Sequence, residues 1–224
     1  RSMDEFARLE ELIQTACPVA AKLSSSQQNQ LAILVRSFLR DVEFRGAGGF
    51  QPPPEAHLKI AAHACLLLLN REQDHFDLGL RVVLHPQGIH HCRELADRQF
   101  RRGHMDVDWA EIRGDGAESI AAMCRVMHEF VHRLDSPHMH ANASPALRST
   151  ECHATWAKVM EAERKFLRAR LEYGVPTPLT PSAATNHAEF FACTTEAFFA
   201  QPDMLRDQFP RVYAQLAHFY GGRA

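Results

Sequence analysis

A chain of 224 residues is long enough to close one sizeable core, burying roughly 70% of the surface its unfolded form exposes. With 46% apolar and 23% charged residues it reads as soluble and globular, and 25 basic against 27 acidic residues, net −2 with no long charged block, argue against nucleic acid as a partner. The longest apolar run, Ile60 to Leu69, is far too short to span a bilayer, so no membrane partner is expected.

Arg1-Ser2-Met3 reads as an artificial leader before a native start at Met3, and residues 4–224 as a single domain. Asp4 to Thr15 is a charged amphipathic helix without the apolar centre of a signal peptide. The six cysteines (17, 65, 92, 124, 152 and 193) include no CxxC pair, and four lie in apolar, helix-like runs. They read as reduced thiols, which places the protein in the cytoplasm. Ser26–Phe44 is a helix with Leu31, Ile33, Leu34, Val35, Phe38 and Leu39 on its apolar face. Arg45 to Gly49 ends it, and Pro52-Pro53-Pro54 opens a helix over 54–70 that is apolar nearly all round and therefore central. His63 on that helix reads as a core histidine.

Leu80 to His85 is a short strand closed by Pro86 and Gly88, and a second is expected around His104–Trp109. Asp115-Gly116-Ala117-Glu118 has capping-box spacing and starts a helix of about 19 residues, with Ile120, Cys124, Met127, Val131 and Leu134 as its stripe. Pro137 stops it, and a polar loop runs to Ser149. Helix Thr150–Glu172 follows, with Trp156 and Phe166 on its apolar side. An extended loop, Gly174 to Pro181, leads to a helix from Asn186 to Ala200, and an amphipathic segment, Met204–Tyr220, closes the chain.

The string His128-Glu129-Phe130-Val131-His132 is HExxH, and the helix just assigned is what its chemistry requires. Residues i and i+4 lie on one face about 6 Å apart, so both imidazoles reach one metal ion, and Glu129 between them is placed to activate a water as general base. Chance supplies this pentapeptide in roughly 6% of chains of such composition, so support from elsewhere is needed. A catalytic zinc takes three protein ligands and keeps one position open. Two candidates for the third, Glu189 and Glu196, sit seven residues apart on one helix face among Phe190, Phe191, Phe198 and Phe199. A carboxylate in such company is costly unless paired or bound. The alternatives are a capping box with Asn186 for Glu189, an arginine partner for Glu196, and an amphipathic helix with two satisfied histidines for the motif itself.

These residues resemble the Mlc titration factor A family of zinc peptidases and, more distantly, the catalytic domain of anthrax lethal factor. The resemblance rests on Gly46-Ala47-Gly48, Ile60-Ala61-Ala62, the run His128 to Asp135, Ala183-Ala184-Thr185-Asn186-His187-Ala188-Glu189-Phe190-Phe191-Ala192, Glu196-Ala197-Phe198-Phe199 and Phe219-Tyr220. It implies an α+β, mostly helical, zincin-like metallopeptidase fold, with a small sheet beside the HExxH helix. It implies one Zn²⁺ held by His128, His132 and Glu189, with Glu196 in a supporting role. The implied activity is peptide-bond hydrolysis, chiefly aminopeptidase-like, on a peptide or protein substrate. A transcriptional repressor is an implied partner, and a small amide an alternative substrate. Where the family carries a tyrosine seven residues before the ligand glutamate, as an oxyanion donor, this chain has Ser182; Tyr173, His138 or His140 are possible replacements. His138 and His140 otherwise read as a solvated loop. Asp135 reads as an orienting partner for a zinc-bound imidazole or as a loop cap.

Overall fold

The computed structural model describes residues 2–71, 76, 79–87, 103–114, 118–134 and 150–221. The chain divides into two compact units, 1–126 and 127–224. Among the described residues no helix is long and apolar enough to cross a membrane.

In the first unit, α1 (Ser2–Ala16) and α2 (Ser25–Asp41) precede a short strand, β1 (Glu43–Gly46). Ser24 caps α2 with a capping box to Gln27. The helix stops three residues before Phe44, where the sequence pattern had carried it, because Val42 is extended and the next residues pair with β2 (Arg81–His85). Pairing is parallel from Glu43 opposite Arg81 to Gly46 opposite Leu84. Gly46 is required here, since a Cβ on it would lie 1.7 Å from the Phe50 carbonyl oxygen.

Helix α3 (Pro54–Leu66) connects β1 to β2, as parallel strands demand. Every residue from Lys59 to Leu69 is buried. The Lys59 ammonium meets the burial cost by donating to the Arg113 carbonyl at 3.2 Å and the Gly114 carbonyl at 2.6 Å. β3 (His104–Asp108) pairs parallel with β2, giving the order β1-β2-β3. Asp106 is buried and bonded to His85 Nε2 at 2.6 Å and His104 Nε2 at 2.9 Å. The second expected strand thus ends at Asp108, whose carboxylate caps a single helical turn, α4 (Trp109–Ile112).

Helix α5 (Glu118–Leu134) continues through the division into the second unit. Its stripe is rotated from the sequence reading. Met123, Val126, Met127, Phe130, Val131 and Leu134 are buried, whereas Ile120 is 47% exposed. The second unit is otherwise α6 (Thr150–Glu172), a 3₁₀ turn Pro181–Ala184, α7 (His187–Ala200), α8 (Pro202–Gln208) and α9 (Pro210–Phe219). The closing segment, read as one helix, is two, because Pro210 cannot continue α8 and begins α9 instead. Trp156 is buried as expected. Phe166 is 49% exposed, covering part of its surface against Phe209 at 6.2 Å. Phe191 packs on Trp156 and Phe219 at 5.3 and 5.7 Å, and Phe198 and Phe199 pack on Tyr220 at 5.8 and 5.2 Å. Thr195 Oγ1 and the Tyr220 hydroxyl share a hydrogen bond at 3.1 Å. These aromatic contacts fix α7 in rotation and height.

Candidate metal centre

The site lies in the second unit, on the last two turns of α5 and the first three of α7. Phe130, Val131 and Leu134 are buried, and that leaves His128, Glu129 and His132 partly exposed along the neighbouring face. The two imidazoles stand edge to face, centroids 4.9 Å apart. On α7, Asn186 accepts the backbone N–H of Glu189 at 2.9 Å and so caps the helix. A full capping box would return the Glu189 carboxylate to the Asn186 N–H. Instead that carboxylate faces the imidazoles, with Oε2 3.4 Å from His128 Nε2 and Oε1 3.3 Å from His132 Nε2.

Glu196, two turns on, accepts from His128 Nδ1 at 2.6 Å. Among the described residues this imidazole is its ion-pair partner, and no arginine takes that place. Cys193, buried between the two glutamates on the same face, brings its Sγ within 4.8 Å of ligand atoms of His128 and Glu196, a second group of donors beside the first. The electrostatics follow from this crowding. Burial opposes charge on His128, yet hydrogen bonds with Cys193, Glu189 and Glu196 outweigh it and push the imidazole up to about 12. Hydrogen bonds from His128 and His132 hold the Glu189 carboxyl far below the usual carboxylate range. Two carboxylates around one imidazole make a place that favours positive charge.

Whether that charge can be a metal ion is a question of donor geometry. Zinc bonds of about 2.0–2.2 Å to nitrogen and oxygen, arranged tetrahedrally, separate ligand atoms by roughly 3.3–3.6 Å. The separations of Glu189 from the two imidazoles, 3.4 and 3.3 Å, match that edge length. One ligand atom from each of His128, His132 and Glu189 lies within 4.8 Å of the others, so the donor set fits a zinc ion.

The profile of the glucose-regulated metallo-peptidase M90 family matches residues 4–221. The chain belongs to that family. It is 27% identical over 219 residues to an uncharacterised protein of Synechocystis sp., spanning 91% of this chain and 79% of that one. It is also 25% identical over 222 residues to Mlc titration factor A of Klebsiella pneumoniae subsp. pneumoniae, spanning 92% and 83%. The protein of the same name from Cronobacter sakazakii is 25% identical over 223 residues, with 92% and 83% covered.

The remaining residues singled out from this M90 sequence fall in three places. Ser182 sits on the 3₁₀ turn, its hydroxyl 2.8 Å from Thr180 Oγ1 and 3.7 Å from Cys193 Sγ, one thiol removed from His128. Tyr173 is 84% exposed just past α6, and its side chain makes no hydrogen bond among the described residues. Asp135, His138 and His140 lie outside the described residues. The contact that sequence reasoning missed is Cys193. Its position four residues after Glu189 and three before Glu196 marks it as a member of their face, but a cysteine in the run Phe190–Phe199 reads as core.

Proposed function

We propose that the protein is a zinc-dependent peptidase with a zincin-like active site, acting on peptides or flexible protein segments in an aminopeptidase-like manner. The observation that carries this reading is the carboxylate of Glu189 lying between the imidazoles of His128 and His132 at zinc-ligand separations. These three side chains would hold one Zn²⁺. When bound, the ion supplies Lewis acidity to the scissile carbonyl and lowers the pKa of a water toward about 7.

Glu129 does the proton work. It projects from α5 about 100° round the helix from His128, beside the proposed ligands, where it would serve as a base toward an attacking water. Its carboxylate takes a proton from the attacking water and returns it to the departing amine, the two roles of one general base and acid. Membership of a metallo-peptidase family supports the reaction class, and the partial exposure of all three ligands supports an open approach for substrate.

The test is Glu129→Gln, which keeps the carbonyl oxygen but cannot accept the proton. Zinc content stays at one per chain, and cleavage of a peptide library falls by roughly 10²- to 10⁴-fold. Cleavage at the parental rate would refute the role of Glu129.

A second reading has its own support. Relatives from Klebsiella and Cronobacter bear the name Mlc titration factor A, and Ser182 stands here in place of the tyrosine expected as an oxyanion donor. On that reading the scaffold binds a transcriptional repressor and turns over slowly. Ser182→Tyr separates the two. A gain in peptide cleavage marks a peptidase lacking its donor, and no cleavage by either protein, with zinc bound, favours the binding role.

A further inference from the structure

We infer that Glu196 is a positioning residue for the metal centre, one that fixes the ring and the proton of His128 so that Nε2 alone is presented to the ion. The inference rests on the reading of His128, His132 and Glu189 as ligands.

An imidazole has two nitrogens of similar basicity, and a ring that turns over offers the wrong one. The hydrogen bond on the nitrogen away from the metal decides which is protonated. In this structure the decision lies with Glu196, whose Oε1 is 2.6 Å from His128 Nδ1, while Nε2 of the same ring is 3.4 Å from Glu189. That separation is short enough for a charge-assisted bond, about twice the strength of a neutral one. Glu196 also has a reason to stay. It sits beside Phe198 and Phe199, both buried, and its ion-pair partner among the described residues is His128. A carboxylate kept in that setting without an arginine or lysine partner is costly unless it serves the imidazole.

The arrangement is economical in sequence. Glu189 and Glu196 are seven residues apart, two turns of α7, so the ligand and the side chain supporting its neighbour share one face of one rigid element. Cys193 Sγ lies within 4.8 Å of the same imidazole from between them, but a thiol is a weak hydrogen-bond partner and cannot replace a carboxylate.

The experiment measures zinc affinity by competition with a chromophoric chelator on the full chain, beside imidazole ¹⁵N spectra of the zinc-loaded protein and melting of the metal-free form. Glu196→Leu fills the space among the phenylalanines and removes the acceptor. Affinity falls roughly 10- to 100-fold, and the His128 signals report a mixture of coordinating nitrogens. Glu196→Gln, whose amide oxygen accepts the same N–H, loses less and keeps Nε2 coordination. Parental affinity with unmixed Nε2 coordination in the leucine variant overturns the inference. Should that variant not fold, the glutamine variant decides, with a several-fold loss expected and parental affinity overturning. If the parent fails to take up one zinc that His132→Ala abolishes, the ligand reading itself falls. If the parent binds and the leucine variant binds equally, only the positioning role does.

Discussion

Replacing His63 by leucine should flatten the acid limb of the protein's stability curve. The ring is fully buried on α3, where burial first and then the charge of Lys59 push its pKa down to about 3, with the Ala16 carbonyl offsetting only part of this. In the unfolded chain it titrates near 6.5. A histidine depressed in the fold is neutral there, so its contribution is intact above about 6.5 and is lost as pH falls from there toward 3. At pH 5 the unfolded imidazole is almost wholly protonated and the folded one is not. The linkage, RT ln(1 + 10^1.5), amounts to about 2 kcal/mol, against nearly nothing at pH 8. Leucine has similar volume and no proton to gain, and its repacking cost is the same at both pH values. Urea unfolding of parent and His63→Leu at pH 8 and pH 5, with chelator throughout to keep the other histidines metal-free, gives a double difference that cancels every other group. We expect that difference to be about 2 kcal/mol in favour of leucine at pH 5. Parallel pH profiles would refute the claim that the ring is buried and uncharged.

Two further outcomes test the site and the sheet. At zinc equal to 100 times the parental Kd, the ion stabilises the parent by about 2.7 kcal/mol. Glu189→Ala, if its affinity drops about 100-fold, gains only about 0.4 kcal/mol; equal zinc-induced shifts in melting temperature would remove Glu189 from the ligand set. Gly46→Ala forces a methyl against the Phe50 carbonyl and should cost about 1–3 kcal/mol or more, read as a lowered melting temperature of metal-free protein; an unchanged melt would contradict the close approach after β1.

What the sequence made legible follows the range of the interactions involved. Thr150–Glu172 and the Asn186-capped helix to Ala200 are written in local periodicity and capping chemistry, and both stand as read. The pairing of Glu189 with two imidazoles nearly 60 positions upstream is not local. The resemblance singled it out, while the residues alone left Glu189 and Glu196 as equals. Geometry distinguishes them by which nitrogen of His128 each carboxylate meets. β1 escaped notice because four residues with no alternation of apolar side chains pair with a strand almost 40 positions away. The misplaced stripe of α5 has a different origin. Ile120 is apolar, and hydrophobicity alone cannot say which of two adjacent faces a helix buries. Phe166 failed likewise, since a lone exposed phenylalanine is permitted wherever the neighbouring Phe209 and Arg170 shelter its faces.

The anchoring of α7 against Trp156, Phe219 and Tyr220 reaches beyond packing. Sliding a helix by one residue moves it 1.5 Å and swings each side chain through 100°. Such a slip would carry both glutamates off His128 in a single step. Where the two carboxylates stand against the His128 ring is therefore decided by how the closing aromatic residues seat.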